Sequence, residues 1–183
     1  IDRSLVGSEM CIRDRYIWQS NTIIRYLSNL TKTKPSDEFQ LAYCDAVFES
    51  THEMFSPLNP TINMTFGEKY NSNKKKLLED ILPNSLNNFE KLLQNSSGNF
   101  FIGNDPFYCD FNAYHHFSMC LILDKNIFSN FPNLKKFINN FEKLNNIKNY
   151  LDGRPELVEL GKSPHFLING KKIPTGLNPN KKY

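Results

Sequence analysis

The stretch KLLEDILPNSLNNFEKLL, residues 76–93, constrains the fold more than any other part of the chain. Leu77, Leu78, Ile81, Leu82, Leu86, Phe89, Leu92 and Leu93 recur at three- and four-residue spacing, a continuous stripe on a helix read over residues 71–94. Pro83 stands inside it. An interior proline removes a backbone hydrogen bond and kinks a helix. The apolar phase is the same on both sides of Pro83, so the spacing predicts one kinked helix. Such a stripe must be covered by a second layer.

The rest of the chain supplies that layer as more helices. In WQSNTIIRYLSNL, residues 18–30, the apolar positions Ile23, Ile24, Leu27 and Leu30 fall on one face. Pro35 and Ser36 end this helix and cap the next. That second helix presents Phe39, Ala42, Val47, Phe48, Thr51, Met54 and Phe55, and is expected to stop before Pro57 and Pro60. Residues 57–68 read as loop. SSGNFFIGNDP (96–106) is a turn region, and a helix to about Leu123 follows, with Phe111, Tyr114, Phe117, Ser118 and Leu121 inward. Pro132 opens a helix carrying Leu134, Phe137, Ile138, Phe141 and Leu144. A short last helix holds Ile147, Tyr150 and Leu151 and stops at Gly153. No segment reads as a convincing strand. The expected fold is an all-α bundle of six helices.

Fifteen Phe and eight Tyr in 183 residues give ample material for one core. No run approaches a membrane span. Cys11, Cys44, Cys109 and Cys120 form no CxxC pair and show no zinc-like spacing, so no metal site is read and a reduced, cytoplasmic compartment fits. Net charge is +3, concentrated in residues 161–183, which hold five Lys and no acid. This basic tail lacks the basic-aromatic interleaving of a nucleic-acid binder and reads as solvated and frayed. Residues 1–15, IDRSLVGSEMCIRDR, have no period and include a segment like a translated library adapter. They are expected to be non-native or disordered.

Three stretches in order carry a family resemblance: QSNTIIRYL (19–27), GNFFIGNDPFYCDFNAY (98–114) and FPNLKKFINNFEKLNNIKNYL (131–151). The chain resembles a cytosolic glutathione transferase over about residues 17–160, and LEDILPNSL (78–86) looks like the mu and sigma classes. The resemblance implies the C-terminal helix bundle of that family at 36–160. It also implies that residues 16–31 are the end of a thioredoxin-like domain otherwise missing from the sequence. It further implies a dimeric detoxification enzyme that adds the thiolate of glutathione, its co-substrate, to an electrophilic small molecule. Two alternatives share the resemblance: a non-catalytic interaction module, and a sigma-type isomerase using glutathione.

The resemblance also assigns residues. Gln19 and Ser20 would hold the γ-glutamyl end of glutathione, and read without it they are ordinary helix capping. Asp45, Glu49 and Glu53 form an acidic stripe at i, i+4 and i+8, either a solvated face or, at Glu53, an acid reaching the glutathione ammonium across a dimer. Met54 and Phe55 are either one wall of the electrophile pocket or core. Asp110 is expected to be structural. Its capping-box partner position is Phe107, so the box is broken and Asp105-Pro106 is an alternative cap. No residue matches the family's thiolate-activating hydroxyl, so no catalytic residue is assigned and the sequence as given is expected to be inactive alone. His52 stays unassigned, and His115-His116 reads as core edge.

Overall fold

The computed structural model describes residues 9–12 and 15–175. Helix α1, Ser20–Thr31, follows strands β1 (Glu9–Ile12) and β2 (Arg15–Trp18), which pair antiparallel with Glu9 opposite Trp18. Of the residues expected to be non-native or disordered, 9–12 form β1 and pair with β2. Residues 1–8, 13 and 14 lie outside the described residues.

Helix α2 runs from Glu38 to Met64, with Pro57 and Pro60 inside it. The expected loop at 57–68 is therefore helical over most of its length. Each proline deletes one backbone N–H, but the turns around them stay anchored because Leu58, Thr61 and Ile62 are buried. Side chains also take up the late carbonyls: Thr61 Oγ1 donates to Pro57 O at 2.9 Å and Thr65 Oγ1 to Thr61 O at 2.7 Å. Tertiary packing outweighs the local preference of proline. At the other end Asp37, rather than Ser36, is the cap, its carboxylate accepting from Gln40 N at 2.8 Å.

The leucine-rich stripe forms one continuous run. α3 (Gly67–Lys76) passes through a π-helical turn, Leu77–Ile81, into α4 (Leu82–Gln94). The π turn is how the helix accommodates Pro83. The Leu82 N–H reaches the Leu77 carbonyl five residues back, and Pro83 next to it has no N–H to place. Helix α5 (Tyr108–Leu123) is the central element, lying against α2, with α6 (Pro132–Glu142) and α7 (Asn145–Asp152) completing the bundle. Rings interlock edge to face at its centre: Phe117 meets Phe89 at 5.5 Å, Phe137 at 5.8 Å and Phe128 at 6.0 Å. On α5 the inward set differs from expectation. Phe111 is exposed and Ser118 and Leu121 are half-buried, while Cys109, Asp110, Asn112, Ala113, His116 and Cys120 face inward.

The all-α expectation needs a second correction at the C-terminal end. Strands β3 (Glu156–Val158), β4 (His165–Ile168) and β5 (Lys171–Pro174) form an antiparallel sheet in the order β3-β4-β5. Asn169 and Gly170, at φ 48° and 74°, make the turn between β4 and β5, the Asn-Gly hairpin signature. The residues read as a frayed tail are thus ordered through Thr175, and 176–183 lie outside the described residues. Gly161 fastens the sheet to the bundle. Its carbonyl accepts from Gly67 N at 2.7 Å, its φ is 73°, and a Cβ there would lie 2.4 Å from the Tyr70 ring. Gly161→Ala is expected to cost about 2 kcal/mol or more and to detach the sheet first. Hydrogen exchange should show lost protection over 156–174 before α2 or α5. Unchanged protection there contradicts this account.

Candidate functional site

α1 begins at an unusual backbone position. Gln19 has φ 74° and ψ 117°, a conformation that costs a non-glycine residue about 1–2 kcal/mol. Its carbonyl accepts from Ile23 N at 3.0 Å, so the helix starts here, but no side chain caps it. The capping alternative for Gln19 therefore fails. The first N–H groups of a 12-residue helix lack a side-chain acceptor, and Gln19 and Ser20 are both exposed beside them. That is a positive end of a helix with open donors, suited to a carboxylate.

The acidic stripe on α2 divides in two. Asp45 accepts from Arg25 Nε at 2.7 Å, Glu49 pairs with the same guanidinium, and that guanidinium lies over the Phe48 ring at 4.7 Å. Tyr108 Oη donates to Asp45 at 3.0 Å. Burial alone would raise the Asp45 carboxyl, but the bonds from Arg25 and Tyr108 outweigh it and hold Asp45 below its usual range. The Tyr108 hydroxyl is pushed well above the ordinary tyrosine range, first by burial and then by negative charge next to it. Arg25 and Tyr108 were not singled out from the sequence, because residues 25, 45 and 108 meet only once α1 lies across α2 and α5. Glu53 is exposed and has no ion pair among the described residues. Of the three acids it alone is left without a protein partner there.

The proposed pocket wall resolves differently. Met54 is 3 % exposed and belongs to the core, so its side chain cannot form a wall facing substrate. Phe55 is half-buried, stacked on His116 with ring centroids 4.2 Å apart and planes at 13°. His52 and His115 are adjacent, each ring within about 6 Å of His116. His116 itself is buried, with Nδ1 unpartnered. Burial, followed by the charges of His115 and His52, depresses it to about 3. A group held neutral in this way packs rather than exchanges protons.

Asp110 is fully buried at the start of α5. One carboxylate oxygen accepts from Phe101 N at 3.0 Å and the other from Phe107 N at 2.8 Å. The cap position is Phe107, not Asp105. Phe107 has no side-chain acceptor to return the bond, so the box is present in one direction only. Burial pushes Asp110 up to about 6, against the backbone N–H groups that favour its charged form.

Cys44, Cys109 and Cys120 are free and buried. No helix among the described residues is long and apolar enough to cross a membrane.

Comparison with known proteins agrees with this architecture. Residues 52–154 match the family model for the glutathione S-transferase C-terminal domain. The chain is 30 % identical to a glutathione S-transferase P of Caenorhabditis elegans, over 93 % of its own length and 79 % of that protein's. It is also 30 % identical to a glutathione S-transferase of Plasmodium yoelii yoelii, spanning 64 % of that relative's length. A solved Pi-class glutathione S-transferase of Onchocerca volvulus superposes with a TM-score of 0.69 at 26 % identity, over 76 % of this chain and 66 % of that one. Two of these three carry P or Pi names, where the sequence resemblance pointed to mu and sigma. The bundle and these matches agree: the chain belongs to the glutathione S-transferase family.

Proposed function

We propose that this chain contributes to a glutathione transferase of pi-like character, which adds the sulfur of glutathione to the electrophilic carbon of a small molecule. The observation that carries the reading is the uncapped start of α1, with Gln19 at φ 74° and Ser20 exposed beside open backbone donors. The γ-glutamyl carboxylate of glutathione would accept from the Ser20 hydroxyl and the first N–H groups of α1. The Gln19 backbone strain holds that constellation in place before the ligand arrives. Glu53, exposed on α2, would meet the glutathione ammonium from the other subunit of a homodimer. In this division of labour the present residues bind and orient glutathione. No residue described here is assigned to thiolate activation.

Trp18, the single tryptophan, is 58 % exposed and immediately precedes Gln19. Its emission should change as glutathione is titrated, and Ser20→Ala should weaken binding about tenfold by removing a hydrogen bond to a charged group. An unchanged affinity in Ser20→Ala would remove the assignment. A chloro-dinitrobenzene conjugation assay on the dimeric protein then separates a transferase from a module that only binds.

A further inference from the structure

The hairpin that closes the C-terminal sheet carries a chemistry of its own. Its tip is Asn169-Gly170, and no other asparagine in the chain precedes a glycine. Both residues are exposed, at φ 48° and 74°, and they stand beyond the last paired rung, Ile168 opposite Lys171. A Cβ added at Gly170 would meet nothing within 4 Å, so the turn is open to water. Gly170 N makes no hydrogen bond among the described residues.

Asparagines elsewhere are held differently. Asn112 Nδ2 donates to Phe48 O at 3.3 Å and to Thr51 Oγ1 at 3.0 Å, and Asn133 Nδ2 donates to Glu90 at 2.7 Å. Asn71 and Asn84 precede serines, but inside α3 and α4, where the next N–H is committed to a helical hydrogen bond. Asn95 also precedes a serine, and Ser96 N donates to Leu93 O at 3.2 Å. At Asn169 an exposed amide, a free N–H one residue on and a neighbour without a side chain coincide. Lys171 adds to this. It is exposed and has no ion pair among the described residues, whereas Lys172 is taken up by Glu159. A cation next to Gly170 N favours loss of its proton. β5 is exposed at all four positions, so little burial resists opening of the hairpin.

We propose that Asn169 is a self-modification site, converting to aspartate and isoaspartate through a succinimide closed onto Gly170, and that the conversion opens the C-terminal hairpin. The deprotonated Gly170 nitrogen attacks Asn169 Cγ. The N–Cγ bond forms, the Cγ–Nδ2 bond breaks, and Nδ2 leaves as ammonia with the proton. Water then opens the ring at either carbonyl. The net change is water in and ammonia out, with no oxidant, cofactor or partner, and it stands independently of the role proposed for the chain. Aspartate places a negative charge beside Lys171. Isoaspartate also routes the backbone through the side chain and lengthens it by one methylene. A two-residue turn that fixes the pairing of Ile168 with Lys171 cannot absorb that.

The test ages the full chain at mildly alkaline pH, beside a synthetic peptide of residues 165–175 that serves as a clock. Peptide mapping by mass spectrometry should find the mass gain of amide-to-acid conversion first at Asn169, with ammonia released in equal amount. The rate should rise about tenfold per pH unit, because the reactive nitrogen is the deprotonated one. Asn169→Gln should abolish the gain in that peptide, since its longer side chain closes the ring poorly. In the converted fraction, hydrogen exchange should show lost protection over 165–174 and unchanged protection in α2 and α5. No gain at Asn169 after the clock peptide has fully converted would overturn the proposal. So would earlier conversion at Asn71, Asn84 or Asn95. Unchanged protection over 165–174 in the converted fraction would overturn the opening of the hairpin.

Discussion

Asp110→Ala is expected to destabilise the chain by about 3–5 kcal/mol, the largest effect of any single substitution considered for this fold. The carboxylate is fully buried and is the acceptor for two backbone donors, Phe101 N and Phe107 N. Alanine leaves both N–H groups buried and unpaired, each costing about 1–3 kcal/mol. The loss also propagates. Phe107 N sits at the start of α5, the helix against which α2 packs, and Phe101 N belongs to the loop that covers Phe89 and Phe137. Asp110→Asn keeps one carbonyl acceptor but turns an NH₂ toward the second donor, so it should lose about half as much. Urea unfolding of the three proteins at neutral pH measures the series. If the alanine variant fails to fold, the asparagine variant still carries the test. A loss below about 1 kcal/mol in Asp110→Asn would show that water or another acceptor serves these donors.

The second large effect is in the pH dependence of stability, where two buried groups on α5 pull in opposite directions. His116 is depressed from 6.5 to about 3 in the folded chain, chiefly by burial. The unfolded chain therefore binds the extra proton between these values. The stability it contributes is fully present above pH 6.5 and is lost as pH falls toward 3, by up to about 4–5 kcal/mol. Asp110 is raised from 3.8 to about 6, again chiefly by burial. Its folded form binds the extra proton, so its contribution is full below pH 3.8 and is lost as pH rises through 6, by up to about 3 kcal/mol. Between about pH 4 and 6 the two slopes oppose each other and nearly cancel. His116→Phe should uncover a stability that falls with rising pH across that window, and Asp110→Asn one that rises, each by about 1.4 kcal/mol per pH unit relative to the parent. Phenylalanine can keep the stack on Phe55 and removes the unpartnered Nδ1, so His116→Phe should cost little at pH 7. Other carboxylates, such as Asp45, titrate alike in all three proteins and drop out of the differences. Parallel stability curves at pH 4, 5, 6 and 7 would show that these groups do not reside in the dry environments described.

How much of this was legible in the sequence follows from the range of each interaction. The stripe from Leu77 to Leu93 and the apolar face of Ile23, Ile24, Leu27 and Leu30 are local, and they predicted helices where helices occur. The Asn169-Gly170 turn is equally local and its signature was present, but the strands it joins are four residues long and β5 is exposed throughout, so no apolar alternation marks the hairpin. Pro57 and Pro60 misled because a proline's local cost is modest beside the burial of Leu58 and Ile62, which no window of sequence reveals. At the candidate site, Gln19, Ser20 and Glu53 were named through family resemblance, and the structure adds the geometry around them. Met54 was left open between pocket wall and core because spacing alone does not tell the core side of α2 from its open side; its burial places it in the core.

The sequence by itself determined the helical pieces, their order and their family, because apolar spacing and capping act over a few residues. Only the tertiary structure decided that Arg25 would engage Asp45 and Glu49 and that Glu53 would be left over. Those outcomes depend on which faces meet when α1, α2, α4 and α5 pack. The burial that sets the charge states of Asp110 and His116 exists only in the packed state.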